Sequence, residues 1–189
     1  MGGSGNEFEN LNGEGYSPAR RKISTNELSQ SMGLVGDRPK GLLMLHAFSD
    51  TNHFSPGLLF DDFYDWYLQT LEAVSDQPEI DLLVKLHPNL AHYTDDLETA
   101  SRAYAIARDV AHIHVVPEGL NTAGLAKFAD FLITVHGKAG LEFAGCGMPV
   151  ILGGRGFFAG NDFSEEPQTA DAYLEAVARG PQMSQDETQ

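Results

Sequence analysis

The chain has 189 residues, 42% of them hydrophobic, a formal net charge of −15 and one cysteine. That length suits a single well-buried domain, and the acid excess repels phosphate backbones and anionic bilayers, which argues against nucleic-acid and membrane-surface roles. No window approaches the roughly 18 to 20 continuous apolar residues of a membrane span, the start lacks a secretory pattern, and Cys146 alone builds neither a disulfide nor a cysteine metal cluster.

A cytoplasmic protein with no transmembrane segment, no metal and no cofactor is therefore expected. Residues 1–22 and 181–189 are rich in polar and glycine residues and read as disordered tails, because they cannot bury enough surface to offset chain ordering. Residues 23–180 between them read as one domain.

In chain order, "STNELSQSMG" begins with a helix cap and ends in glycine. "GLLMLH", Gly41 to His46, follows as a strand. "FDDFYDWYLQTLEAV" places Phe60, Phe63, Tyr64, Tyr67, Leu68 and Leu71 on one helical stripe. "DLLVKLHP", Asp81 to Pro88, is the second strand, and "DDLETASRAYAIARDV" reads as a helix with Leu97, Tyr104 and Ala105 inward. "HIHVVP", "FLITVH" and "PVILGG" supply three further strands. Between and after them come a short helix capped by Asn121 or Thr122, a glycine turn into a helix near Lys138, and a last helix capped by Thr169 and stopped by Gly180.

The five strand runs are nearly continuous in apolar character, as strands buried on both faces must be. Alternation with helices predicts an α/β, doubly wound, Rossmann-like domain of about five parallel strands with helices on both faces. Ligands of such sheets bind beyond the strands' carboxyl ends where strand order reverses; the order 3-2-1-4-5 puts that reversal between the first and fourth strands.

Three clusters sit at those ends. After the fourth strand, the helix starting near Lys138 to Gly140 offers unpaired N–H groups, Gly137 and Gly140 let an anion approach the main chain, and Glu142, read as lying in the first turn, suits ribose hydroxyls or simply complements the helix dipole. His136 closes the strand before them. On the second strand Lys85 and His87, two apart, point the same way; Lys85 is expected to reach the rim and His87 to donate to a phosphate oxygen. After the first strand, His46 is followed by Asp50, Asn52 and His53, a polar loop with no metal spacing. His112 and His114 read as structural, and His92 and Tyr93 as surface residues. "GGRGFFAGND" lacks the ending of a phosphate loop, and neither GxSxG nor GxGxxG is present, so hydrolase and dinucleotide dehydrogenase readings are weak.

Taken in order, "LLMLHAFSDTNHF", "FYDWYLQTLEAV", "LLVKLHPN" and "FLITVHGKAGLEFAGCGMPVIL" resemble the carboxyl-terminal half of capsule polysaccharide biosynthesis proteins and related Kdo-type surface-polysaccharide glycosyltransferases of the GT-B architecture, over roughly Ile23 to Val177. The resemblance implies a nucleotide-sugar site. His87 would lie near the nucleotide phosphate and Glu142 on the ribose, with His136 and Gly137 carried over and Lys85 added; Leu86 departs from the family's usual proline.

It also implies a sugar donor, a CMP-linked one among the candidates, and a glycan or lipid acceptor held by an amino-terminal domain that about forty residues before the first strand cannot build. Binding without transfer by this chain alone is expected, with a partner chain or a homo-oligomer as an option. Relatives of nucleotide-sugar 2-epimerases or glycerophosphotransferases, and a non-catalytic nucleotide-binding or regulatory module, remain open.

Overall fold

The computed structural model describes residues 24–34, 36–48, 57–87, 106–107, 109–117 and 119–180. The two expected tails lie outside these residues. So do Asp50, Asn52, His53, His92, Tyr93 and most of the helix expected over 95–110.

Five parallel strands, β1 (Lys40–Met44), β2 (Asp81–Lys85), β3 (Ile113–Val115), β4 (Phe131–Thr134) and β5 (Val150–Leu152), form one sheet in the order β3-β2-β1-β4-β5. The central strands need apolar residues on both faces, and they have them: Leu43, Leu82, Val84 and Ile133 feed one core cluster, and Leu42, Leu83 and Leu132 the other.

Helices α1 (Thr25–Met32), α2 (Phe63–Ser75), α3 (Thr122–Ala126), α4 (Lys138–Gly145) and α5 (Ala170–Arg179) cover the sheet. Side chains cap most of their starts, satisfying N–H groups that have no partner within a helix. Ser24 forms a reciprocal capping box with Glu27, Asp62 accepts from Tyr64 and Asp65, Asn121 from Ala123, and Thr169 from Ala172. Gly33 closes α1 with φ 66°, a left-handed conformation that costs glycine little.

The buried face of α2 differs from the expected stripe. It comprises Phe63, Trp66, Tyr67, Thr70, Leu71 and Val74, while Tyr64 and Leu68 are only partly buried and Phe60 precedes the helix. The observed face is the regular i, i+3, i+4, i+7, i+8, i+11 stripe counted from Phe63, and its polar members join a hydrogen-bonded cycle with α5. Trp66 Nε1 donates to Tyr173 Oη at 2.7 Å, and Thr70 Oγ1 donates to the Trp66 carbonyl at 2.7 Å. With that proton committed, the 2.9 Å contact between Tyr173 and Thr70 has the phenol as donor. Burial pushes the Tyr173 phenol above its usual range, which keeps the proton needed for this role. The Trp66 indole, the Thr70 hydroxyl and the Tyr173 phenol thereby enter the core with partners.

His112 and His114 are structural, as expected. His112 Nε2 lies 2.8 Å from the Val74 carbonyl, and His114 Nε2 lies 3.4 Å from Oδ1 of the fully buried Asp81, which also pairs with Arg38 at 2.9 Å.

Candidate functional site

Strand register builds the site. Met44 pairs with Lys85, and Leu43 with Ile133, so Met44, Lys85 and Thr134 end their strands level with one another. His46, His87 and His136 each follow two residues after those strand ends, placing one histidine beyond each of β1, β2 and β4 around the point where strand order reverses. Neighbouring strands run about 4.8 Å apart. The ring centroids of His46 and His136 match that spacing at 4.8 Å.

His46 is the enclosed member of the three. Its ring stacks on Phe63, with Trp66 edge-on at 6.2 Å, and its Nε2 lies 3.4 Å from Thr134 Oγ1. Thr134 Oγ1 in turn donates to the Met44 carbonyl at 3.4 Å. Burial first, then the neighbouring His136 and His87, lowers its pKa to about 3. His46 is thus a neutral imidazole at physiological pH.

The turn from β4 into α4 forms the adjacent wall. Gly137 is the helix N-cap and contributes no side-chain hydrogen bond. Gly140 closes the first turn onto the Gly137 carbonyl at 2.9 Å, and the N–H groups of Lys138 and Ala139 have no protein acceptor among the described residues. Of the five described helices, α4 is the one whose N-terminus has no side-chain cap. A β-carbon at Gly137 would stand 3.5 Å from His46 Cε1, so the absent side chain leaves the imidazole edge next to the helix start.

Two expectations need correction. The first turn of α4 holds no acidic residue, because the helix already begins at Lys138 and Glu142 falls one turn later. There it is half-buried, with no side-chain hydrogen bond or ion pair among the described residues. Lys85 does not reach the rim: it is 7% exposed, and its Nζ lies 3.5 Å from the Leu86 carbonyl. β2 also ends at Lys85, so strand alternation does not carry on to orient His87.

Lys85, Lys138 and Arg155 stand at the strands' carboxyl ends, the last two exposed. Sequence reasoning passed over Phe63 and Trp66 as the support beneath His46. The signal was available in the helical spacing of Phe63, Trp66, Tyr67, Thr70 and Leu71. A separate groove of about 400 Å³, lined by Ser31, Gly33, Val110, His114 and Pro117 among others, flanks edge strand β3, away from the β1–β4 boundary.

In sequence, residues 57–188 match the model of the capsule polysaccharide biosynthesis protein family. The match includes Lys85, His87, His136, Gly137, Gly140 and Glu142, and begins after His46. No curated protein matches the chain significantly.

Among solved structures, UDP-GlcNAc 2-epimerase from Neisseria meningitidis bound to UDP-GlcNAc is similar at TM-score 0.51 and 14% identity, over 82% of this chain and 39% of that one. Two KpsC units of Thermosulfurimonas dismutans also match. The beta Kdo 2,4 transferase has TM-score 0.48 and 20% identity over 77% of this chain and 45% of that one. The beta Kdo 2,7 transferase has TM-score 0.49 and 15% identity over 76% and 45%. The chain spans less than half the length of each. The epimerase likeness concerns the α/β fold alone, whereas the family match covers more than half of the chain. The chain belongs to the capsule polysaccharide biosynthesis protein family.

Proposed function

We propose that the crevice between β1 and β4 seats the nucleotide of a nucleotide sugar, and that the chain is the donor-binding half of a polysaccharide glycosyltransferase. The observation that carries the reading is the placement of His46, His87 and His136 beyond β1, β2 and β4, together with the one described helix start without a side-chain cap.

In this reading the donor phosphate takes the N–H groups of Lys138 and Ala139, where the helix dipole favours an anion and Gly137 and Gly140 allow close approach. His87 donates to a phosphate oxygen, neutral or charged, and Lys85 adds positive field from beneath. Glu142, with no side-chain partner among the described residues, accepts from ribose hydroxyls. His46 stays neutral and positions His136. When the sugar departs, negative charge grows on the phosphate, and fixed donors aimed there lower the barrier.

Local capture is essential in a chain of charge −15, which repels anions at a distance. The base, with CMP, UDP and CDP as candidates, is read by groups beyond those named. Transfer to a glycan or lipid acceptor requires an acceptor-binding domain besides this one, so the 189 residues alone bind the donor without turning it over. A cytoplasmic location, where nucleotide sugars are made, belongs to the same reading.

Calorimetric titration of wild type and His87→Ala with CMP, UDP and CDP tests it. Losing a charge-assisted phosphate contact costs about 1.5 to 3 kcal/mol. Negligible, equal affinity for every nucleotide overturns the reading. Product analysis with nucleotide-sugar and CDP-glycerol donors separates glycosyl transfer from epimerase or glycerophosphotransferase chemistry. Nucleotide binding that never leads to product in the presence of an acceptor domain favours a regulatory module.

A further inference from the structure

The loop after β5, Gly153 to Gly160, is pinned except at two side chains. Gly154 bridges to Leu58 and packs on Val135, and the Arg155 N–H donates to the Gly57 carbonyl at 2.9 Å. Gly156 lies against His136: a β-carbon there would stand 3.2 Å from His136 Cβ. Phe158 is buried, sits over Gly140 at the start of α4, and stacks on Phe163 at 6.0 Å. Gly160 N–H is held by the Glu166 carboxylate.

Between these anchors the Phe157 ring is 72% exposed, the most exposed of the large apolar side chains described, and stands nearly perpendicular to Phe158. Its exposure does not follow from a loose backbone, because the residues on both sides are fixed. Arg155 is similarly placed. Arg38 pairs with Asp81 and Arg179 with Glu165, yet Arg155 makes no ion pair or side-chain hydrogen bond among the described residues, in a chain with 27 acidic and 12 basic residues. An exposed aromatic face two residues from a guanidinium that has no ion pair among the described residues suits a ligand with one apolar face and several oxygen acceptors.

We propose that Phe157 and Arg155 form a sugar-ring subsite at the rim of the crevice, the phenyl ring stacking on the apolar face of a pyranose and the guanidinium bonding its oxygens. Membership of a capsule polysaccharide family makes a pyranose the fitting class. The subsite adjoins the nucleotide crevice and rests on that reading for its neighbour. The ring belongs either to the donor or to the end of an acceptor glycan.

The test has two arms. In the first, wild type, Phe157→Ala, Phe157→Trp and Arg155→Gln are titrated with UDP and UDP-N-acetylglucosamine, and with CMP and CMP-N-acetylneuraminate. In the second, saturation-transfer NMR follows methyl glucoside, methyl galactoside and methyl N-acetylglucosaminide with the same variants.

For a donor ring, Phe157→Ala weakens a nucleotide sugar about three- to tenfold, leaves the free nucleotide unchanged, and is rescued by Phe157→Trp. For an acceptor ring, the titrations are unchanged but saturation transfer to a glycoside disappears in Phe157→Ala and returns in Phe157→Trp. Variants equal to wild type in both arms overturn the subsite, as does a Phe157→Ala effect confined to molecular mass in light scattering, which would make the ring a protein contact. If wild type binds no nucleotide, the nucleotide reading falls, and the glycoside arm still decides the subsite.

Discussion

The imidazole of His46 lies almost flat on the ring of Phe63, with centroids 4.5 Å apart and planes 17° from parallel. A proton added to that imidazole would lose its hydration and face His136 and His87. Stability should carry the imprint. The unfolded chain takes up this proton below about 6.5, whereas the folded chain refuses it until about 3. The contribution is therefore complete above the upper value and is lost as pH falls through the window between them, with a slope of at most about 1.4 kcal/mol per pH unit. Urea unfolding across that window should show a shallower acid decline for His46→Phe than for wild type. Parallel declines would mean that His46 titrates normally.

Removing the Tyr173 hydroxyl breaks the cycle that joins α5 to α2. Tyr173→Phe leaves the Trp66 indole N–H and the Thr70 hydroxyl without their buried partner, at a cost of about 1 to 3 kcal/mol. Trp66 fluorescence should report the change alongside the unfolding midpoint, because the indole loses its acceptor. An unchanged midpoint and spectrum would show that the cycle carries no stability.

Gly140→Ala inverts an ordinary rule. A helical glycine replaced by alanine normally gains about 0.5 to 1 kcal/mol. Here the added β-carbon falls 2.7 Å from Cζ of Phe158, a buried ring backed by Phe163. Overpacking of this kind costs about 1 to 3 kcal/mol, so the collision outweighs the gain. A lower denaturation midpoint is expected, and a variant as stable as wild type would mean that the loop after β5 moves aside freely.

Much of this architecture was legible because it rests on local rules. Runs such as "FLIT" in β4 and "VIL" in β5 are nearly continuous in apolar character, as doubly covered strands require, and Asn121, Thr169 and Gly180 mark helix ends through the groups that helices leave unpaired. Trp66 and Thr70 lie on the i, i+3, i+4, i+7 stripe that starts at Phe63, so their burial follows helical periodicity, but their hydrogen-bond partner Tyr173 is about a hundred residues away and no local pattern encodes that pairing. Glu142 was placed one turn too early because Gly137 caps with its backbone alone, leaving no polar side chain to mark the boundary. Lys85 was expected at the rim on the cost of burial, yet it lies enclosed at the end of β2 with its Nζ 3.5 Å from the Leu86 carbonyl. The level alignment of the three histidines depends on register, and a sequence shows only that each strand run ends in one.

Where a nucleotide settles decides whether the histidines at the ends of β1, β2 and β4 form its seat. Two-dimensional ¹H–¹⁵N spectra of the histidine rings, recorded while CMP, UDP or CDP is added, ask that directly. His46, His87 and His136 should shift together and saturate together, while His112, bonded to the Val74 carbonyl, and His114, against Asp81, stay fixed. Shifts confined to His112 and His114, or a spectrum indifferent to every nucleotide, would contradict that seat.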